Sequence, residues 1–353
     1  MKKRVVSIML ALVCSVMTVP TAHAAEIIKL KYSNFFPPMH KNAVLGAQFC
    51  EEIKKRTNGR VEISYFAGGT LTTAPKVFNG VVTGISDIGM SNVGYTRGRF
   101  PVTEVHDLPL GFPSGFVSTH VADDFYNKFM PKEWDSVKVL YMHSGGPVII
   151  YTVKKPVGTL DDLRGLKIRG SGRVADIIKA LGGTPMPLEM ADMYEAMRRG
   201  VIDGSLGSME QLKGWKTGEI ARFATLSWRV GSVTAFYVVM NKDKWNSLPD
   251  DIKKIFDEVS TEWREKHALG WNEIDIEGRE YLKSLGGQTI PLAEKEIARW
   301  QAAVEPVITD YKRDLATKGF KTEEIEGYIK YTKDRIDFWR QKQKEMGIAT
   351  PYE

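Results

Sequence analysis

The hydrophobic positions of this chain change period several times, and the changes mark out its elements. Ile27 to Tyr32 alternates apolar and polar residues as a half-buried strand does, and Asn34-Phe35-Phe36-Pro37-Pro38 must leave it as a loop. From Asn42 to Thr57 the apolar residues Leu45, Phe49 and Ile53 fall on one helical face, and Asn58-Gly59 stops the helix. Val61 to Tyr65 alternates again, Gly68-Gly69 turns, a helix fits Ala74 to Val82, and Ile85 to Met90 reads as a short strand. The order β–α–β–α–β predicts an open α/β sheet.

A second run of the same kind starts near Lys138. Val139 to Met142 and the β-branched stretch Val148 to Val153 read as strands, the latter buried on both faces. Thr159-Leu160-Asp161-Asp162 caps a short helix, and Leu166 to Ile168 is a strand that runs into Arg169-Gly170-Ser171-Gly172. Helices fit Ala175 to Leu181 and Met190 to Arg199; Gly204 to Gly207 and Ala235 to Asn241 return to the sheet. The longest pattern follows. Between Pro249 and Gly286-Gly287, the residues Ile252, Phe256, Val259, Trp263, Trp271, Ile274, Tyr281 and Leu285 keep a three-or-four spacing. At 1.5 Å per residue that is a rod of roughly 55 Å, longer than one lobe is wide, with Gly270 as the place for a bend. Further helices are expected over Glu294 to Lys318 and Glu323 to Met346.

The first residues belong to a different grammar. Lys2, Lys3 and Arg4 precede the apolar run Val5 to Val19, Pro20 breaks it, and Ala22-His23-Ala24 has the small-x-small pattern of signal-peptidase sites. Residues 1–24 are therefore expected to be a signal peptide, with export to the periplasm. A lipid on Cys14 is the weaker reading, because Val13 is too bulky before a lipidated cysteine. A retained span is disfavoured too, since the run is shorter than the ~20 residues a spanning helix needs. Beyond it no segment is long and apolar enough to cross a membrane.

Composition then narrows the partners. The chain of 353 residues carries a formal charge of +6, and loss of Lys2, Lys3 and Arg4 brings this to about +3. No basic run interleaved with aromatics remains, so nucleic acid is not an expected partner. Cys50 is the one cysteine after residue 24 and cannot form an internal disulfide. About 330 residues suffice to bury a core without one, in two lobes by default.

The usual signs of catalysis are missing. His40, His106, His120, His143 and His267 are scattered, with no pair at metal-ligand spacing, and there is no Gly-x-Ser-x-Gly or Walker loop. His106-Asp107 reads as two neighbours facing apart rather than half a relay, and Cys50, beside an apolar stripe, as a packed thiol. No enzyme, cofactor or metal is called for. Binding is better supported. Arg169 ends a strand where a loop enters a helix, the place where open α/β sheets bind ligands. Gly170 and Gly172 leave the approach open, the helix start favours an anion, and a guanidinium can grip a carboxylate through two hydrogen bonds. On these residues alone a surface salt bridge is an equal alternative.

Read together, several segments tip that balance. They are Leu30-Lys31-Tyr32-Ser33, Phe66 to Leu71, Val81 to Gly89, Leu160 to Arg169, Met193 to Gly204 and Val239 to Pro249. In this order, behind a signal peptide, the chain resembles the solute-binding subunits of tripartite ATP-independent periplasmic (TRAP) transporters, the DctP type. The resemblance implies a two-lobed α/β periplasmic binding protein fold with mixed sheets flanked by helices and a long helix shared between the lobes. It places lobe I over 25–147 plus 236–270 and lobe II over 148–235 plus 271–353, the C-terminal helices included. It also implies closure on a small organic acid that is delivered to two integral membrane permease subunits; the protein is expected to be a monomer.

The family's carboxylate-clamping arginine corresponds to Arg169. Members that bind sialic acid have polar groups where this chain has Phe35, and a second arginine where it has one of Val148 to Tyr151, taken as Ile149. The loop after Ile88-Gly89 offers Asn92 and Tyr95; Trp215, Trp228 and Phe236 or Tyr237 lie in segments that line the cleft in relatives. The site is thus expected to comprise Arg169, Phe35, Asn92, Tyr95, Ile149, Gly172, Gly207, Trp215 and Phe236. These departures favour a carboxylate with an apolar or aromatic tail, such as an indole or phenyl acid. The alternatives are a small sulfonate or hydroxy/keto acid held by the same arginine, or a periplasmic enzyme or sensor-associated protein on the same fold.

Overall fold

A computed structural model describes residues 27–352, so the expected signal peptide lies outside the described residues. Along the chain the elements are β1 (Ile28–Asn34), α1 (Lys41–Arg56), β2 (Val61–Phe66), α2 (Val77–Val82), β3 (Ile88–Asn92), α3 (Gly115–Phe129) and β4 (Val137–Ser144). Then come β5 (Ile149–Thr152), β6 (Lys167–Arg169), α4 (Arg173–Ala180), β7 (Thr184–Met186), α5 (Met190–Arg198), β8 (Gly204–Gly207), α6 (Gln211–Gly214) and β9 (Phe223–Leu226). The chain finishes with β10 (Ala235–Asn241), α7 (Lys242–Ser247), α8 (Asp250–Ser284), β11 (Gln288–Pro291), α9 (Glu294–Thr317) and α10 (Thr322–Glu345).

The strands form two sheets, one per lobe. The first has the order β2-β1-β3-β10-β4, the second β11-β9-β5-β8-β6-β7. Both are mixed. In the first, β1 pairs in parallel with β2 and β3, as the β–α–β–α–β pattern predicts, and β10 closes it antiparallel between β3 and β4. The chain changes sheet after β4 and again before β10, so β10 completes the first sheet from a distant part of the sequence. The two crossings hold each other: Gly145 N–H donates to Thr234 O at 3.2 Å and Val148 N–H to Ser232 O at 2.9 Å. They form a short two-strand link between the sheets.

Helix α8 spans the join. Its 35 residues make a rod of about 52 Å that runs unbroken through Gly270. Its N-terminal half packs on α1, α3 and β4, and its C-terminal half on α6 and β11. Ile252, Phe256, Val259 and Trp263 enter the core of the first lobe, whereas Leu282 enters that of the second. The close fit at the second lobe needs glycine: a Cβ on Gly278 would lie 2.1 Å from Met209 O. The C-terminal helices divide, with α9 against α4 and α10 along α3 of the first lobe. The expectation that all of 271–353 stays with the second lobe differs from this placement of α10, whose Ile336 shares a core cluster with Phe116 and Val121 of α3.

Candidate functional site

The loops at the strand ends meet across the cleft. Phe35 and Phe36 follow β1; Asn92 ends β3, and Tyr95 sits in the turn after it. Phe236 enters at the start of the antiparallel β10. From the other lobe come Arg169 at the end of β6, Ser171, Met190, and Ser208, Glu210, Gln211 and Trp215 after β8. Together with Gly145, Gly146 and Thr234 of the crossings they line a cavity with about 30 Å³ of free room. That is room for little more than a water, so an organic acid would need the lobes to part.

One wall is aromatic. The Phe35 ring stacks between Phe236 at 6.3 Å and Trp215 at 6.2 Å and meets Tyr95 edge-on at 5.8 Å. Phe36 supports Trp215 and Phe236 from behind, at 5.8 and 5.6 Å. Phe236 is backed in turn by Trp271 at 5.1 Å and by His143 at 5.2 Å. Strand alternation explains the choice between Phe236 and Tyr237: the tyrosine points to the opposite face, into the core with Phe78 and Phe100.

The opposing wall carries Arg169. Its side chain is 5% exposed, and its Nε donates to Leu188 O at 3.0 Å. Among the described residues no carboxylate lies within ion-pair distance of it. Burial pushes the Tyr95 hydroxyl above its ordinary range, and the nearby Arg169 guanidinium works against that rise. That hydroxyl accepts from Met190 N–H at 3.2 Å, which ties the β3 loop to the second lobe.

Two further polar groups, Glu210 and Gln211, complete this wall. Glu210 is 3% exposed, and its Oε2 lies 2.9 Å from His40 Nε2 of the first lobe. Its backbone N–H donates to Asp275 Oδ1 of α8 at 2.8 Å. Gln211 Oε1 accepts from the Tyr151 hydroxyl at 2.5 Å. Sequence reasoning missed Glu210, Gln211, Phe36 and Met190. Only the apolar–acidic mixture of Met209-Glu210-Gln211 hinted at them, and nothing local says that a loop after a short Gly-rich strand faces a cleft.

Six of the expected site residues line this cavity: Arg169, Phe35, Asn92, Tyr95, Trp215 and Phe236. Three do not. Ile149 is fully buried beside Met193 and Leu212 in the second lobe's core, because its neighbours in β5 and β8 leave that face covered by α5 and α6. Gly207 underlies the wall instead of facing the ligand space: a Cβ there would lie 2.1 Å from Gln211 Oε1. Gly172, at φ +58°, sits at the seam between lobes, where a Cβ would lie 2.8 Å from Gly94 Cα. Trp228 lies in another part of the second lobe, against the core that holds Ile149.

A larger recess of about 550 Å³ opens beyond His40, lined by Pro37, Met39, Lys41, Val44, Lys213, Lys216 and Ile274 among others. Lys41 there pairs with Glu273 and Lys213 with Glu277. It holds no buried charge in want of a partner, so the smaller cavity is the better candidate. No group of histidine, cysteine and acidic side chains suited to a metal is found among the described residues.

Two lobes joined by crossing strands, a shared helix and a buried arginine between them define a solute-binding protein. Residues 37–314 match the bacterial extracellular solute-binding protein family 7, DctP, and the chain belongs to that family. A TRAP periplasmic solute-binding protein from Desulfovibrio salexigens is 34% identical, with a TM-score of 0.76 over 87% of this chain and 95% of the other. A marine metagenome TRAP solute-binding protein specific for aromatic acid ligands, solved with metahydroxyphenylacetate, is 26% identical. It superposes with a TM-score of 0.82 over 88% of this chain and 98% of its own. The C4-dicarboxylate-binding protein DctB of Bacillus subtilis is 22% identical over 299 residues, 81% of this chain and 82% of that protein. The protein is thus a TRAP-type periplasmic solute-binding protein, and not an enzyme.

Proposed function

We propose that this protein captures a monocarboxylate with an aromatic or apolar tail, closes its lobes around it, and delivers it to the two membrane subunits of a TRAP permease. The observation that carries this reading is Arg169, buried and without an acidic partner among the described residues, opposite a wall of rings. A desolvated guanidinium is stabilised by a paired anion, and its planar fork matches a carboxylate. Phe35, Trp215 and Phe236 give the cavity apolar ring surface for the rest of the ligand. A polyhydroxylated sugar acid needs a partner for each hydroxyl, and the rings of Phe35 and Phe236 supply none. The relative solved with metahydroxyphenylacetate supports the same reading. Closure would bend the paired crossings at Gly145–Val148 and Ser232–Thr234 while α8 stays docked on both lobes.

Titration calorimetry with benzoate, phenylacetate, indoleacetate, glucuronate and succinate tests the ligand class. Tight binding of at least one ring-bearing acid, with glucuronate and succinate far weaker, is the expected result. Tight glucuronate or succinate binding with no response to any aromatic acid would refute it. Small-angle scattering should show a smaller radius of gyration at saturation.

A further inference from the structure

We infer that the cavity carries a second subsite, for a hydroxyl group on the ligand's ring, in which the Trp215 indole N–H donates and the Glu210 carboxylate accepts. This rests on the reading of the ligand as an aromatic carboxylate. Trp215 Nε1 is buried and has no acceptor among the described residues, although its ring lines the ligand space. An indole N–H can only donate, so an occupant must bring a lone pair to it. Glu210 faces the same space. Its carboxylate takes His40 Nε2 at 2.9 Å and Ser208 Oγ at 3.3 Å, two of the roughly four contacts a carboxylate can accept.

The two groups belong together. The Trp215 ring lies 6.0 Å from the His40 imidazole that holds Glu210, and α6 carries both residues at its two ends. Glu210 makes no ion pair with Arg169, so the arginine is left for the ligand's carboxylate, and the ring of a ligand held there is what would meet this pair.

The pairing also selects the kind of group. An ammonium would suit Glu210 but would set N–H against the N–H of Trp215. A carbonyl would suit Trp215 and repel the carboxylate. A hydroxyl donates to one and accepts from the other. His40 crosses from the first lobe to grip Glu210, so the subsite is complete only when the lobes are together.

The test is calorimetry with phenylacetate, 3-hydroxyphenylacetate, 4-hydroxyphenylacetate and 3-(aminomethyl)phenylacetate, on the wild type and on Trp215→Phe and Glu210→Gln. The wild type should bind one hydroxylated acid about tenfold more tightly than phenylacetate, the size of one well-made buried hydrogen bond, and the aminomethyl acid no better than phenylacetate. In each variant the ratio of hydroxylated to plain acid should fall to within about threefold of one. Equal affinity for plain and hydroxylated acids in the wild type would overturn the subsite while leaving the aromatic reading intact. So would a hydroxyl advantage retained in both variants, or a preference for the aminomethyl acid. Binding of none of the four would overturn the subsite, and if benzoate and indoleacetate also fail to bind, the aromatic reading with it.

Discussion

Arg169 and Arg173 stand four residues apart on either side of the Gly170-Ser171-Gly172 turn, both buried, and their surroundings are opposite. Arg173, 2% exposed, is neutralised from within: its Nε lies 2.9 Å from Glu104, an ion contact without hydrogen-bond alignment, and its Nη2 donates to Asp314 at 3.0 Å. Its guanidinium also rests 5.1 Å from the centre of the Tyr311 ring. Arg169 has a backbone carbonyl and no carboxylate. Burial costs both charges their hydration, but only Arg173 finds its counter-charge inside the fold. The difference separates a charge that ties α4 to α9 from one whose partner is supplied by a ligand.

Breaking the satisfied arginine should have the largest effect on the protein itself. Arg173→Ala leaves Glu104 buried without its cation, so a stability loss of about 3–5 kcal/mol is expected in denaturant titration. A second change sharpens the ligand side. Phe35→Leu keeps apolar bulk but removes the ring between Phe236 and Trp215, and should weaken an aromatic acid about two- to tenfold in calorimetry. The smallest effect concerns Asp107, near the seam beside Gly172, whose carboxyl burial pushes up to about 8, helped by Glu104 and opposed by Arg173. In the folded state it keeps its proton up to that pH, whereas the unfolded chain releases it near 4. The folded state therefore binds more protons between the two, and wild-type stability from this group falls as pH rises across that window. Asp107→Asn does not titrate, so its melting temperature should gain on the wild type between pH 5 and 8 and gain no more above it. A constant difference across that range would remove Asp107 from the account.

Much of this architecture is legible along the chain because its signals are local. The first five elements, the long helix and the strand before Arg169 each carry their own period or cap, and each appears within a few residues of its predicted place. Helix α3 was not legible. It is buried between β4, α8 and α10, and nearly every residue from Gly115 to Asp123 is covered, so no polar face marks its turn. Strands β7, β9 and β11 have three or four residues each, too few to show alternation. The site divides in the same way. Arg169 and the aromatic residues follow from strand ends and from resemblance, while Ile149 was misplaced because a continuous apolar strand does not reveal which face meets the cleft. Glu210 depends on His40, 170 residues away, and no local pattern records that distance.

The central claim is that Arg169 has no carboxylate partner among the described residues because the ligand provides it. Arg169→Ala, titrated with whichever of benzoate, phenylacetate or indoleacetate the wild type binds best, tests it most directly. Affinity should fall by ~2–5 kcal/mol, thirtyfold to several thousandfold. Arg169→Lys should recover little of it. The ligand-free alanine variant should melt near the wild type, since no carboxylate is left stranded. Near-normal affinity in the alanine variant, or a collapse in stability like that expected for Arg173→Ala, would contradict the account.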